Sequence, residues 1–186
     1  MRIHTEWLSG DQAWNIQVNP CLCYCHSLLN VLQTQLGPGA TVLGVVLLSD
    51  KTNISAMTGG CSAHPLLINL ANISMEFRNK DSNNAYLLLA LLPIPKFIHN
   101  KKAIRGMLNA HLYHRCLDVI LAPLKAAAQL GIMLADSLGS LHWCFMPLVL
   151  FIADMPEAQL ISCVSGKTSP VTTASYKQFG DAFRHL

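Results

Sequence analysis

The chain has 186 residues and a formal net charge of +3, with 12% charged and 52% hydrophobic residues. Intrinsic disorder requires the reverse balance and is excluded. The charged share is about half the ~25% of ordinary soluble chains, so much of the surface is expected to be covered by something.

A membrane span does not explain the apolar content. Crossing a bilayer takes roughly 18 to 20 apolar residues in a row. Residues 141–153 form the longest candidate, and this run carries His142 and Pro147. Residues 85–95 contain Pro93 and Pro95, and residues 42–48 are shorter still. The N-terminal residues 1–10 have neither the apolar core of a signal peptide nor the Arg- and Ser-rich character of a transit peptide. The expected address is nuclear or cytoplasmic, neither secreted nor membrane-bound. Seven cysteines make an odd count, and without a secretion signal they are expected as reduced thiols. Cys21, Cys23, Cys25 and His26 are too tightly spaced for a zinc finger, whose cysteine pairs are separated by about two to four residues.

In chain order, residues 41–49 (TVLGVVLLS) are nearly continuous and β-branched, the pattern of a strand buried on both faces. The run ends at Asp50-Lys51-Thr52, and residues 53–62 read as a turn. Residues 64–73 (HPLLINLANI) and 85–94 (AYLLLALLPI) read as two further strands, joined by a turn over 78–84. Residues 103–130 read as helix, kinked or split by Pro123 and closed by Gly131. Residues 146–153 (MPLVLFIA) form a last apolar strand that stops at Asp154-Met155-Pro156-Glu157, and the tail from Ser165 is polar. Three strands, a long helix and a further parallel strand predict an α/β fold. That is how a ribonuclease-H-like core begins.

Two carboxylates occupy equivalent places in this pattern. Asp50 ends one apolar run and Asp154 ends another. If the two strands are parallel neighbours, both acids emerge at the carboxyl edge of the sheet, where open α/β sheets bind ligands. Carboxylates brought together there repel unless a cation lies between them or one is protonated. Oxygen-only ligands suit Mg²⁺ or Mn²⁺, and such a pair supports phosphodiester chemistry. On spacing alone, a turn or helix-capping role is the simpler account of each Asp.

Several segments resemble one family. Residues 37–52 (GPGATVLGVVLLSDKT) are similar to the fungal Plavaka-type transposases, relatives of the CACTA elements with a DDE/D catalytic core. The same likeness continues in order through 64–73 with Arg78, 87–96, His114-Arg115-Cys116, 120–124 and 147–163 (PLVLFIADMPEAQLISC). It also takes in Thr5-Glu6-Trp7 and residues 11–17. The resemblance implies that Asp50 and Asp154 are the first two catalytic acids and hold Mg²⁺ or Mn²⁺. It further implies DNA as partner, in cleavage of transposon ends and strand transfer. The third acid of the family lies further downstream than the A-D-x-P-E segment. No acid here stands in a matching context: Glu157 belongs to that segment, and Asp181 lacks a supporting helix. The chain is therefore expected to be an incomplete and inactive core. A non-catalytic remnant that binds DNA or protein is the rival reading.

The likeness divides the chain into an approach segment (1–35), a partial core (36–164) and a polar tail (165–186). Residues 18–33 interrupt the matching blocks and carry three of the cysteines. Val codons begin with GT, Gln can be CAG, and Leu29-Asn30 can be encoded by a branch-like sequence. A translated retained intron is therefore expected. The family's later C-P-x-C pair reads Ser169-Pro170-Val171-Thr172 here, which removes two thiols from any zinc site.

Other motifs are weaker. Lys96, Lys101, Lys102 and Arg105 form the only basic cluster, with Lys51 beside Asp50. They either contact phosphates or form a polar flank, and a net +3 is low for a dedicated nucleic-acid module. The Ser165-Gly166-Lys167-Thr168 segment lacks the first glycine of a P-loop, since residue 161 is Ile. His111, His114 and Asp118 share a helix arc of about 60° and read as a metal face or a solvated flank. Cys144 and His142 share a strand face, with nothing in the sequence to orient the His.

Overall fold

The computed structural model describes residues 34, 36, 39–55 and 61–181. The approach segment, the 18–33 insertion and the Cys21–Cys23–Cys25 group lie outside the described residues. The architecture is mixed α/β. Its main sheet has four strands: β2 (Val45–Ser49), β5 (Pro65–Leu70), β6 (Leu87–Leu91) and β9 (Leu148–Ile152), in the order β6-β5-β2-β9. β5 runs antiparallel to both β6 and β2, while β2 and β9 are parallel. The meander followed by a helix and a parallel strand is therefore present.

The apolar run over 41–49 is not one strand. It divides into β1 (Ala40–Val42) and β2, which belong to different sheets. β1 pairs in parallel with β8 (Leu141–Phe145), which pairs antiparallel with β7 (Ile132–Ala135). The break is held by a side chain distant in sequence. The Asn72 side chain accepts from Gly44 N (2.8 Å) and donates to Val42 O (3.0 Å), so it holds both sides of the bend. The β7–β8 hairpin, which precedes β9, does not announce itself in the sequence, because Ser137 to Ser140 read equally well as loop after a helix. A two-stranded ribbon, β3 (Thr52–Asn53) with β4 (Ser62–Ala63), lies between β2 and β5.

The 78–84 turn contains more structure than its composition suggests. A short helix, α1 (Met75–Arg78), is followed by a 3-10 turn over Asp81–Asn83. The long helical segment splits as Pro123 predicts, into α2 (Lys102–Ile120) and α3 (Ala122–Leu130). Pro123 sits in the first turn of α3, where its missing N–H costs no helix bond. Gly131 then closes α3 at φ +73°, and a Cβ there would lie 2.5 Å from Trp143 Nε1, so only glycine fits beneath that indole.

Each face of the main sheet buries its own cluster. On one face Val45, Leu47 and Leu66 meet Tyr113, Leu117 and Leu121 of the helical segment. On the other, Val46 and Ala71 meet Val42 of β1. No helix among the described residues is long and apolar enough to cross a membrane.

Candidate functional site

β2 is apolar until its last residue, Ser49, and Asp50 follows it. β9 is apolar to Ile152, and Asp154 then caps the short helix α4 (Met155–Ile161). Asp154 is well suited to that place: its Oδ1 accepts from Glu157 N at 2.9 Å, and Pro156 occupies the first turn. The register pairs Leu48 with Ile152. Extended by two residues, it sets Asp50 opposite Asp154. Both acids are exposed, at the carboxyl ends of adjacent parallel strands.

Directly behind them lies a buried polar cluster that sequence reasoning missed. The Glu157 carboxylate is 8% exposed, and its Oε1 gathers donors from three other segments. Ser49 Oγ donates to it at 2.6 Å. His64 Nε2 lies 3.0 Å away, and the Tyr113 hydroxyl also donates. A buried carboxylate without partners would be costly, and three donors on one oxygen offset that cost. Burial, then the hydrogen bond to Glu157 and its charge, push the Tyr113 phenol well above its usual range. The nearby Asp154 adds in the same direction. Tyr113 is therefore a neutral donor.

Two signals in the sequence bear on this cluster. Asp154 and Glu157 have capping-box spacing, which would send the Glu side chain back to the helix start; it turns inward instead. Tyr113, Leu117 and Leu121 fall at i, i+4 and i+8, so a helical reading puts the Tyr on the core face. Partners as distant as Ser49 and His64 leave no such trace.

The other sequence candidates separate. Lys51, Lys96, Lys101, Lys102 and Arg105 are all exposed. β6 ends at the same edge as Asp50, since Leu91 pairs with Pro65 while Leu66 pairs with Ser49. The segment carrying Lys96 departs from there. Tyr113 stands at the level of Ser49, and α2 buries only Tyr113 and Leu117. The first half of α2 borders a cleft with Met107, Ala110 and His111, and its basic start is exposed.

The His111–His114–Asp118 arc does not form a metal face. Asp118 is turned to Lys125, 2.7 Å away, which holds its carboxyl below the usual range. His114 Nε2 sits 3.0 Å from Leu160 O and 3.5 Å from Cys163 Sγ. These residues border an open cleft of about 540 Å³ between α2 and the end of α4. His142 does have an orienting partner, Asp136 Oδ2 at 3.1 Å, whereas the buried Cys144 thiol donates to the backbone oxygen of His142. That arrangement gives no thiol–imidazole pair. Among the described residues no three His, Cys, Asp or Glu side chains gather as a metal-binding group. The edge thus supplies two carboxylates. Mg²⁺ fits that donor set, because it is commonly held by one or two carboxylates with waters and substrate phosphates completing the shell.

A family model described as Plavaka transposase matches residues 1–186 of the chain. No curated protein and no solved structure matches it.

Proposed function

The chain belongs to the Plavaka transposase family, and on that premise we propose that its sheet edge is a divalent-cation site for DNA phosphodiester cleavage and strand transfer. The single observation that carries the reading is the parallel pairing of β2 with β9, which ends both strands in an aspartate at one edge. Asp50 and Asp154 would hold Mg²⁺ or Mn²⁺. The cation, when bound, supplies an activated water or hydroxyl and charge stabilisation for the leaving oxygen. The β6-β5-β2-β9 order supports a ribonuclease-H-like core. Support for DNA as the partner comes from α2, whose exposed start carries Lys101, Lys102 and Arg105 without an acidic residue in its first turn. Cations there oppose the helix dipole, a placement that phosphate groups would relieve.

The test is nicking of a supercoiled plasmid by the full chain with Mg²⁺ or Mn²⁺. Cleavage that both Asp50→Asn and Asp154→Asn abolish is the expected outcome. That the described residues place only two carboxylates at the edge favours a second reading, a module that binds DNA without cutting it. That reading predicts salt-sensitive DNA affinity, no nicking, and little change on Asp50→Asn.

A further inference from the structure

Glu157 touches both segments that carry the edge aspartates. Its backbone N–H donates to Asp154 Oδ1 at 2.9 Å. Its side chain accepts from Ser49 Oγ at 2.6 Å, and Ser49 is the residue before Asp50. The same oxygen takes the Tyr113 hydroxyl from α2 and faces His64 Nε2 at the start of β5. One buried side chain thus ties together the ends of two strands, the long helix and the short helix that Asp154 caps.

Packing alone gives no reason to keep an acid there. Replacing a buried charged group and its partners with apolar side chains is often neutral or stabilising. Tyr113, which donates to Glu157, belongs to a core cluster whose other buried members, such as Leu47, Leu66 and Leu92, are aliphatic. What an acid provides, and a leucine does not, is a fixed set of directional bonds behind two exposed carboxylates. Groups hydrogen-bonded behind cation ligands commonly set the ligands' orientation.

We propose that Glu157 is a positioning residue, which holds Asp50 and Asp154 at the separation at which they share one divalent cation. This rests on the cation-site reading above. It assigns Glu157 no contact with the ion and no step in the reaction. The role is carried by geometry: hydrogen-bond acceptance at Oε1 fixes Ser49, and with it the direction in which the chain leaves β2.

The experiment is a Mn²⁺ titration of the full chain, followed by electron paramagnetic resonance, with thermal unfolding recorded on the same samples. Wild type should take up Mn²⁺ that Asp50→Asn and Asp154→Asn each displace. Glu157→Ala should weaken that affinity by about 10- to 100-fold. Glu157→Gln keeps the shape and the acceptor oxygen, so it should retain most of the affinity. Equal Mn²⁺ binding by Glu157→Ala and wild type overturns the proposal. So does a Glu157→Gln variant as weak as Glu157→Ala, since charge rather than placement would then be responsible. If Glu157→Ala does not fold, Tyr113→Phe decides: the expected result is a several-fold loss of affinity with unchanged circular dichroism, and unchanged affinity overturns the proposal. A wild-type chain that takes up no Mn²⁺ removes the cation site itself, and that failure is seen before any Glu157 variant is read.

Discussion

β2 and β6 are both short, apolar strands with opposite fates. One reads VVLLS and the other LLLAL. In β2, Val45 and Leu47 are fully buried and Ser49 is 2% exposed. In β6, Leu87, Leu88 and Leu91 are each about 60% exposed. The difference lies in their neighbours. β2 has a strand on each side and a hydrophobic cluster on each face, whereas among the described residues β6 pairs only with β5, at the edge of the sheet. Apolar sequence therefore marks a strand but not its depth. Depth also explains where the candidate site lies. A strand enclosed on both edges and both faces can offer chemistry only at its ends, and β2 ends in Ser49 and Asp50.

The largest effect expected from this contrast is at Leu47. Its side chain is wholly enclosed. Leu47→Ala should cost about 2–5 kcal/mol by urea denaturation, the range for a buried leucine that leaves a cavity. A cost below about 1 kcal/mol would mean that the centre of the sheet collapses around the lost side chain, and that β2 is no better packed than an edge.

How far the sequence exposes this arrangement depends on the range of each interaction. The runs that form β5, β6 and β9, the helix split at Pro123 and the stop at Gly131 follow from local patterning and steric rules, and they stand where those rules put them. The alignment of Asp50 with Asp154 was legible as a condition: it required β2 and β9 to be parallel neighbours, and the long helix between them makes that connection natural. The division of the 41–49 run was not legible, since it depends on Asn72, 28 residues beyond Gly44. The Glu157 cluster joins residues 108 and 93 positions apart. No periodicity encodes such a contact. Capping-box spacing even pointed Glu157 the other way.

An intermediate effect is expected at Tyr113, where the polar cluster meets the core. Tyr113→Phe removes one donor from Glu157 and should cost about 1 kcal/mol, the usual net value of one hydrogen bond. The pH dependence has a definite sign. The phenol of the folded chain titrates above the ordinary tyrosine value of 10.0, so the unfolded chain loses this proton first. The stability Tyr113 contributes is then fully present below about pH 10 and is lost as the pH rises beyond it. Ultraviolet titration should show one phenolate appearing later than in the denatured chain, and Tyr113→Phe should remove that late phase. A native chain whose tyrosines all ionise together near pH 10 would mean that the cluster is open to solvent.

The smallest effect is expected at Leu88, the counterpart of Leu47 on the edge strand. It is 59% exposed, and among the described residues its strand pairs on one side only, with Leu88 opposite Leu67. Leu88→Ala removes the same three carbons as Leu47→Ala, but those carbons already face solvent and their loss leaves no cavity. The change in unfolding free energy should stay within about 0.5 kcal/mol. The pair of variants thus holds chemistry constant and changes only position in the sheet. If Leu88→Ala instead costs as much as Leu47→Ala, β6 is buried in solution by something that pairs with its free edge. Exposed leucines along an unpaired strand are a template for such pairing, and the low charge of the chain would then reflect a surface that is normally covered.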